Sequence, residues 1–165
     1  MSQLSAVAQR LLASALVALA WLVWGGAAHA SCSPDQVDLR GPWGQARFSV
    51  EIADTEALRA RGLMHRERLA RSKGMLFIYD APTEPAFWMR NTLISLDMVF
   101  INPEGRVTHV HHEAVPHDET PIPGGPNVLM VLEINGGLSR ALGIAPGSEL
   151  RHPRLDQGTA VWPCD

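Results

Sequence analysis

Residues 74–101, GMLFIYDAPTEPAFWMRNTLISLDMVFI, decide how this chain is read. Two apolar runs within them, Met75 to Tyr79 and Leu96 to Ile101, are short, rich in aromatic and aliphatic residues and flanked by Gly, Asp, Pro and Asn, which is the pattern of strands. Between them stand Trp88-Met89-Arg90-Asn91-Thr92, and Asp97 falls inside the second run. Polar groups at such places are either buried with partners or put to use, because an uncompensated buried carboxylate is costly.

Outward from this stretch, further strands are predicted at Arg47 to Ile52, Phe87 to Met89, Val107 to Glu113, Val128 to Ile134 and Ser148 to Arg151. Asn102-Pro103-Glu104-Gly105 is a turn signal that joins its neighbours as a hairpin. Asp54 or Thr55 caps a helix running to Arg61, with Glu56 in its first turn, Arg59 and Arg61 in its last, and Gly62 as a left-handed stop. A second helix, from about Gly136 to Leu142, takes Asn135 as N-cap, Gly143 as its stop and Ile144 as the apolar contact beyond it. Pro146-Gly147 then fits a type II turn. Strands dominate and no βαβ alternation is visible. The expected fold class is therefore mostly β (α+β), a compact β-barrel or sandwich-like domain with two short helices.

The ends of the chain read differently. Arg10, the uncharged apolar run Leu11 to Trp24 and the small-x-small triplet Ala28-His29-Ala30 have the form of a signal peptide over residues 1–30, so a periplasmic or secreted chain starting at Ser31 is expected. The alternative is an uncleaved anchor, since the apolar region reaches about 18 residues, the lower edge of a spanning helix. Cleavage would leave no stable membrane span. Residues 31–45, with Pro34, Gly41, Pro42 and Gly44, read as an irregular arm, 46–151 as a single β-rich domain and 152–165 as a tail. Both cysteines, Cys32 and Cys164, lie in the exported part and neither has a second ligand nearby, which points to a disulfide in an oxidising compartment. The formal charge of −3 becomes one unit more negative when Arg10 is removed, and gives no support to nucleic-acid binding.

From about Arg47 to Arg151 the chain resembles the prokaryotic family known as domain of unknown function 192. The resemblance is carried by Gly62-Leu63-Met64, Gly74-Met75-Leu76-Phe77, Trp88 to Thr92, Leu96-Asp97, Phe100-Ile101, Leu132-Glu133, Asn135, Leu142-Gly143 and Gly147. Arg90 stands where that family commonly carries lysine, which keeps the charge and changes any bidentate contact. The resemblance implies a fold and a candidate site, and no activity.

Asp97 and Glu133 are the candidate catalytic residues. Strand alternation puts Asp97 on a face with Val99 and Ile101, and Glu133 on one with Leu129 and Val131. Arg90 or Arg47 could neutralise them, or each could accept backbone N–H groups at a turn. Otherwise they form a paired-carboxylate site beside Arg90 and Asn91, lined by Trp88 and able to do acid–base work or bind a ligand. His109, His111 and Glu113 share one face of a strand, near His112, His117 and Asp118; Met64-His65 with Trp88-Met89 is a second soft-ligand grouping. Solvation explains the first and packing the second, so no metal and no cofactor is expected. Arg59, Arg61, Arg66, Arg68, Arg71 and Lys73 make a positive stretch relieved by Glu67, and the Pro-rich connection Val115 to Pro126 suits a fixed rim.

The chain has no Gly-x-Ser-x-Gly elbow, P-loop, His-Glu-x-x-His or dinucleotide fingerprint. The leading expectation is an exported binding or accessory module of the cell envelope, its partner an envelope ligand or small molecule. A small hydrolase or lyase using the carboxylates, and a protein-interaction domain, are the alternatives.

Overall fold

A computed structural model describes residues 32–164; the expected signal segment lies outside the described residues. Among the described residues, nine strands and two short helices follow one another as β1 (Gln36–Gly41), β2 (Gly44–Ala53), α1 (Glu56–Arg61), β3 (Lys73–Thr83), β4 (Ala86–Phe87), β5 (Leu96–Ile101), β6 (Val107–Ala114), β7 (Ile122–Pro123), β8 (Val128–Asn135), α2 (Leu138–Leu142) and β9 (Glu149–Arg151). Seven strands form one curled sheet in the order β6-β5-β8-β3-β2-β1-β9, and β4 pairs with β7 in a separate ribbon. The two edge strands approach at one end: Val107 N–H donates to Ser148 O at 2.8 Å and Leu150 N–H to Gly105 O at 2.7 Å, which closes the curl there into a half-barrel. The mostly β expectation holds.

Each face of the curl carries its own core. Inside lie Phe48, Leu76, Val99, Ile101, Leu132 and Leu150, among others. The outer face presents Met75, Phe77, Met98, Phe100 and Val131, and is covered by chain that is not part of the sheet, including Leu63, Met89 and Ile122. Only β2 and β3 run parallel, so the chain between them, residues 54–72 with α1, crosses over the sheet instead of turning back in a hairpin.

Three expectations are corrected. The arm is not irregular: residues 36–41 are β1, paired with both β2 and β9, because Val37 and Leu39 alternate into the core and the Pro42-Trp43 turn signal belongs to a tight hairpin closed by Gly41 and Gly44. Gly44 has φ 113°, a value that favours glycine. The strand expected at Phe87 to Met89 shrinks to Ala86–Phe87, Met89 being buried beyond it. Asn135 does not cap α2; it ends β8, and its side-chain amide donates to Leu69 O and Ala70 O in the crossover, while Gly137 holds the cap position. Two other ends are as expected: Thr55 Oγ1 accepts from Leu58 N–H at the start of α1, and Gly143 stops α2 with Ile144 buried beyond it; Gly62 ends α1 with a positive φ of 48° but a ψ of −137°, outside the left-handed helical conformation expected of it.

Candidate functional site

The register of the sheet decides where the two carboxylates go. Across the β5–β8 pair Met98 stands opposite Glu133, and Asp97 opposite Ile134. Side chains alternate between faces, so Asp97 and Glu133 lie on opposite faces of the same sheet. The structure does not bring the proposed pair together.

Asp97 is fully buried and fully used. Its Oδ1 accepts from the backbone N–H groups of Glu113 (2.7 Å) and Gly137 (2.9 Å), and its Oδ2 from the N–H (2.7 Å) and hydroxyl (2.6 Å) of Ser139. It supplies from a neighbouring strand the capping oxygen that Gly137 lacks, and pins α2 to the irregular pairing of β5 with β6. This is the turn-bonded arrangement that the sequence left open. Neither Arg47 nor Arg90 takes part: Arg47 is paired with Asp38, and Arg90 lies over the Trp88 ring at 5.5 Å with Glu119 4.0 Å away.

Glu133 is the opposite case. Its neighbours on the adjacent strands are Met75 and Met98, whose thioethers offer no donor, and Oε2 is buried with no hydrogen-bond partner. Burial pushes its carboxyl up to about 8, so it carries its proton at neutral pH. The residue forms part of the wall of a pocket of about 340 Å³. Leu63, Met64, Phe77, Phe87 and Trp88 supply apolar walls, Tyr79 and Thr92 hydroxyls, and Glu56, Arg59 and Arg61 charges. Arg59 is anchored, its Nη1 donating to Asp54 O (2.8 Å) and Ile78 O (2.7 Å) and its guanidinium lying over Tyr79. Burial also raises the Tyr79 phenol, partly opposed by Arg59.

The rim beside Trp88 is knitted from strained backbone. His65, Asn91 and His117, none of them glycine, have φ of 63°, 53° and 64°. They are cross-linked, His65 N–H donating to Asn91 O (2.8 Å) and His117 N–H to Met89 O and Thr92 O (3.1 and 3.2 Å). Left-handed non-glycine residues persist only where the surroundings enforce them, and they gather at functional sites. Of the predicted binding residues, then, Trp88 and Glu133 line the pocket, Arg90 backs Trp88, Asn91 forms the exposed rim turn and Asp97 is elsewhere. The sequence reading missed Tyr79, Phe77 and Phe87 as walls, although Met75, Phe77 and Tyr79 alternate onto the face that holds Glu133. It also took Arg59 and Arg61 for part of a general positive surface.

Among the described residues no group of three or more His, Cys, Asp or Glu is arranged to hold a metal ion. The histidine strand is dispersed instead: His109 stacks on Phe100 at 5.6 Å, His112 Nδ1 lies 2.8 Å from Ser139 Oγ, and Glu113 pairs with Arg140. Cys32 and Cys164 form a disulfide, compatible with an oxidising compartment, and no described helix is long and apolar enough to cross a membrane.

Solved structures similar to this chain include the following two. A protein of unknown function from Novosphingobium aromaticivorans DSM 12444 is 45% identical, with a TM-score of 0.69 over 70% of this chain and 83% of that one. A protein from Sinorhizobium meliloti 1021, described as a proposed transcription regulator, is 36% identical with a TM-score of 0.69 over 74% of this chain and 95% of that one. No curated protein matches. The family description DUF192, "Uncharacterized ACR", matches residues 39–152, which takes in the last three residues of β1, every wall of the Glu133 pocket and the Asp97 anchor; the chain belongs to that family.

Proposed function

We propose that this protein is a small-molecule-binding module of the cell envelope, and that its ligand enters the pocket formed partly by Glu133. One observation carries the reading. A buried carboxyl oxygen without a partner is rare in folded proteins, and here its residue lines a cavity with aromatic walls, where a bound molecule would give the carboxyl a hydrogen-bond partner. Export is supported by the Ala28-His29-Ala30 triplet and by the disulfide. The description of the Sinorhizobium relative gains no support from this chain, whose net charge is −3 and whose described helices have six and five residues.

Acetophenone, a neutral aromatic ketone, is a suitable probe. Titration at millimolar concentration should shift the NMR signals of Leu63, Phe77 and the Trp88 indole, and Ala86→Trp, at an exposed position of the pocket lining, should abolish those shifts. Absence of shifts, or shifts indifferent to Ala86→Trp, would refute the pocket.

A small hydrolase or lyase is the second reading, favoured by the carboxyl held at about 8, a value suited to proton transfer near neutral pH. Under it Glu133→Gln keeps binding and loses turnover of the bound substrate.

A further inference from the structure

Resting on the pocket reading above, we infer that the preferred ligand is an aromatic or aliphatic monocarboxylic acid, its carboxylate held at the mouth by Arg61 and its far end, a carbonyl or other hydrogen-bond acceptor, set against the carboxyl of Glu133. The charged lining selects the sign. Arg59 and Arg61 face one carboxylate, Glu56, so the mouth carries one net positive charge and matches a monoanion. Arg59 is committed to two backbone carbonyls, whereas the Arg61 side chain makes no hydrogen bond or ion pair among the described residues. A free guanidinium presents the planar fork that a carboxylate fills with two parallel bonds.

The Glu133 wall selects the other end of the molecule. Burial raises the Glu133 carboxyl, and no hydrogen bond or ion pair from either arginine reaches it. A protonated carboxyl donates one hydrogen bond, and its cross-strand neighbours Met75 and Met98 offer only weakly accepting thioethers, so a ligand carbonyl is the stronger acceptor for it. Between these ends Leu63, Phe77, Phe87 and Trp88 bound an apolar slot. A cationic ligand meets the reverse at both ends: repulsion at the mouth and a Glu133 that must first lose its proton.

Three probes of one shape separate the contributions: 4-acetylbenzoate has both ends, 4-acetylbenzamide lacks the charge, and 4-isopropylbenzoate lacks the acceptor. Isothermal titration at pH 7 should rank 4-acetylbenzoate about tenfold above each of the other two. Arg61→Gln should remove its advantage over the benzamide. Affinity for 4-acetylbenzoate should stay level from pH 6 to 7 and fall by about tenfold per unit well above pH 8 as Glu133 ionises, whereas Glu133→Gln, whose amide still donates, should give a level profile. If 4-acetylbenzamide or benzylammonium binds as tightly as 4-acetylbenzoate and Ala86→Trp still blocks it, the carboxylate preference is wrong and the pocket stands. If none of the probes binds, the pocket and the inference fall together.

Discussion

Replacing Glu133 by Gln should stabilise this protein at neutral and alkaline pH. The wild-type carboxyl is raised by burial from an ordinary 4.5 to about 8 in the folded chain. Between those two values the folded state keeps a proton that the unfolded state has released, so wild-type stability falls as pH rises through that window and levels off above it. Below pH 4.5 both states are protonated and the penalty is absent. At about 1.36 kcal/mol per pKa unit, the full displacement corresponds to roughly 5 kcal/mol, of which about 4 develops between pH 5 and pH 9. Glutamine has the same shape and no proton to lose. Urea unfolding of the two proteins at pH 5, 6, 7, 8 and 9 should therefore give a stability difference that is small at pH 5, near 3 kcal/mol at pH 7 and still larger at pH 9. Other titrating groups cancel in the difference. Two parallel stability profiles would show that Glu133 ionises in the folded protein as it does in water, and would remove the physical basis of the pocket reading.

Asp97→Asn should behave as the reverse: it places an amide among N–H donors and costs about 1 to 3 kcal/mol in urea melts for each donor left unsatisfied, while acetophenone shifts persist in whatever fraction remains folded. Non-reducing mass spectrometry of periplasmically expressed protein should find Cys32 bonded to Cys164, and Cys164→Ser should cost up to about 5 kcal/mol for a closed loop of this size; two free thiols would contradict this. His152, buried with Nε2 near Pro34 O and Nδ1 accepting from Arg154 N–H, is held below its usual range chiefly by burial. The unfolded chain takes up that proton first, so stability should decline as pH drops below 6.5, and His152→Gln should flatten that acid limb.

Periodicity made most of the sheet legible. The bounds of β5 follow from the apolar run Leu96 to Ile101, and those of β6 and β8 fall within a residue of their alternating patterns. β1 was obscured because Gly41, Pro42 and Gly44, which make its hairpin, also punctuate loops, and pairing with β2 and β9 distinguishes the two. Glu133 stood out as a carboxylate on an apolar face, and that signal was sound. Its relation to Asp97 was not readable, because alternation fixes a face only within one strand and the shared face depends on register. The arginines of the pocket were hidden for a similar reason: their own segment says nothing of the strands it will cover.

The parallel pairing of β2 with β3 gives the pocket a particular freedom to vary. Chain that leaves Ala53 must travel to Lys73 across the sheet before it can pair, so a roof over this face is a geometric requirement of the strand order and not an appended loop. The strands fix the position of Glu133, and the crossover brings Arg59, Arg61, Leu63 and Met64 to the same cavity. Relatives with the same sheet can therefore exchange mouth and near wall by altering residues 54–72 alone, keeping the buried carboxyl and changing what is presented to it.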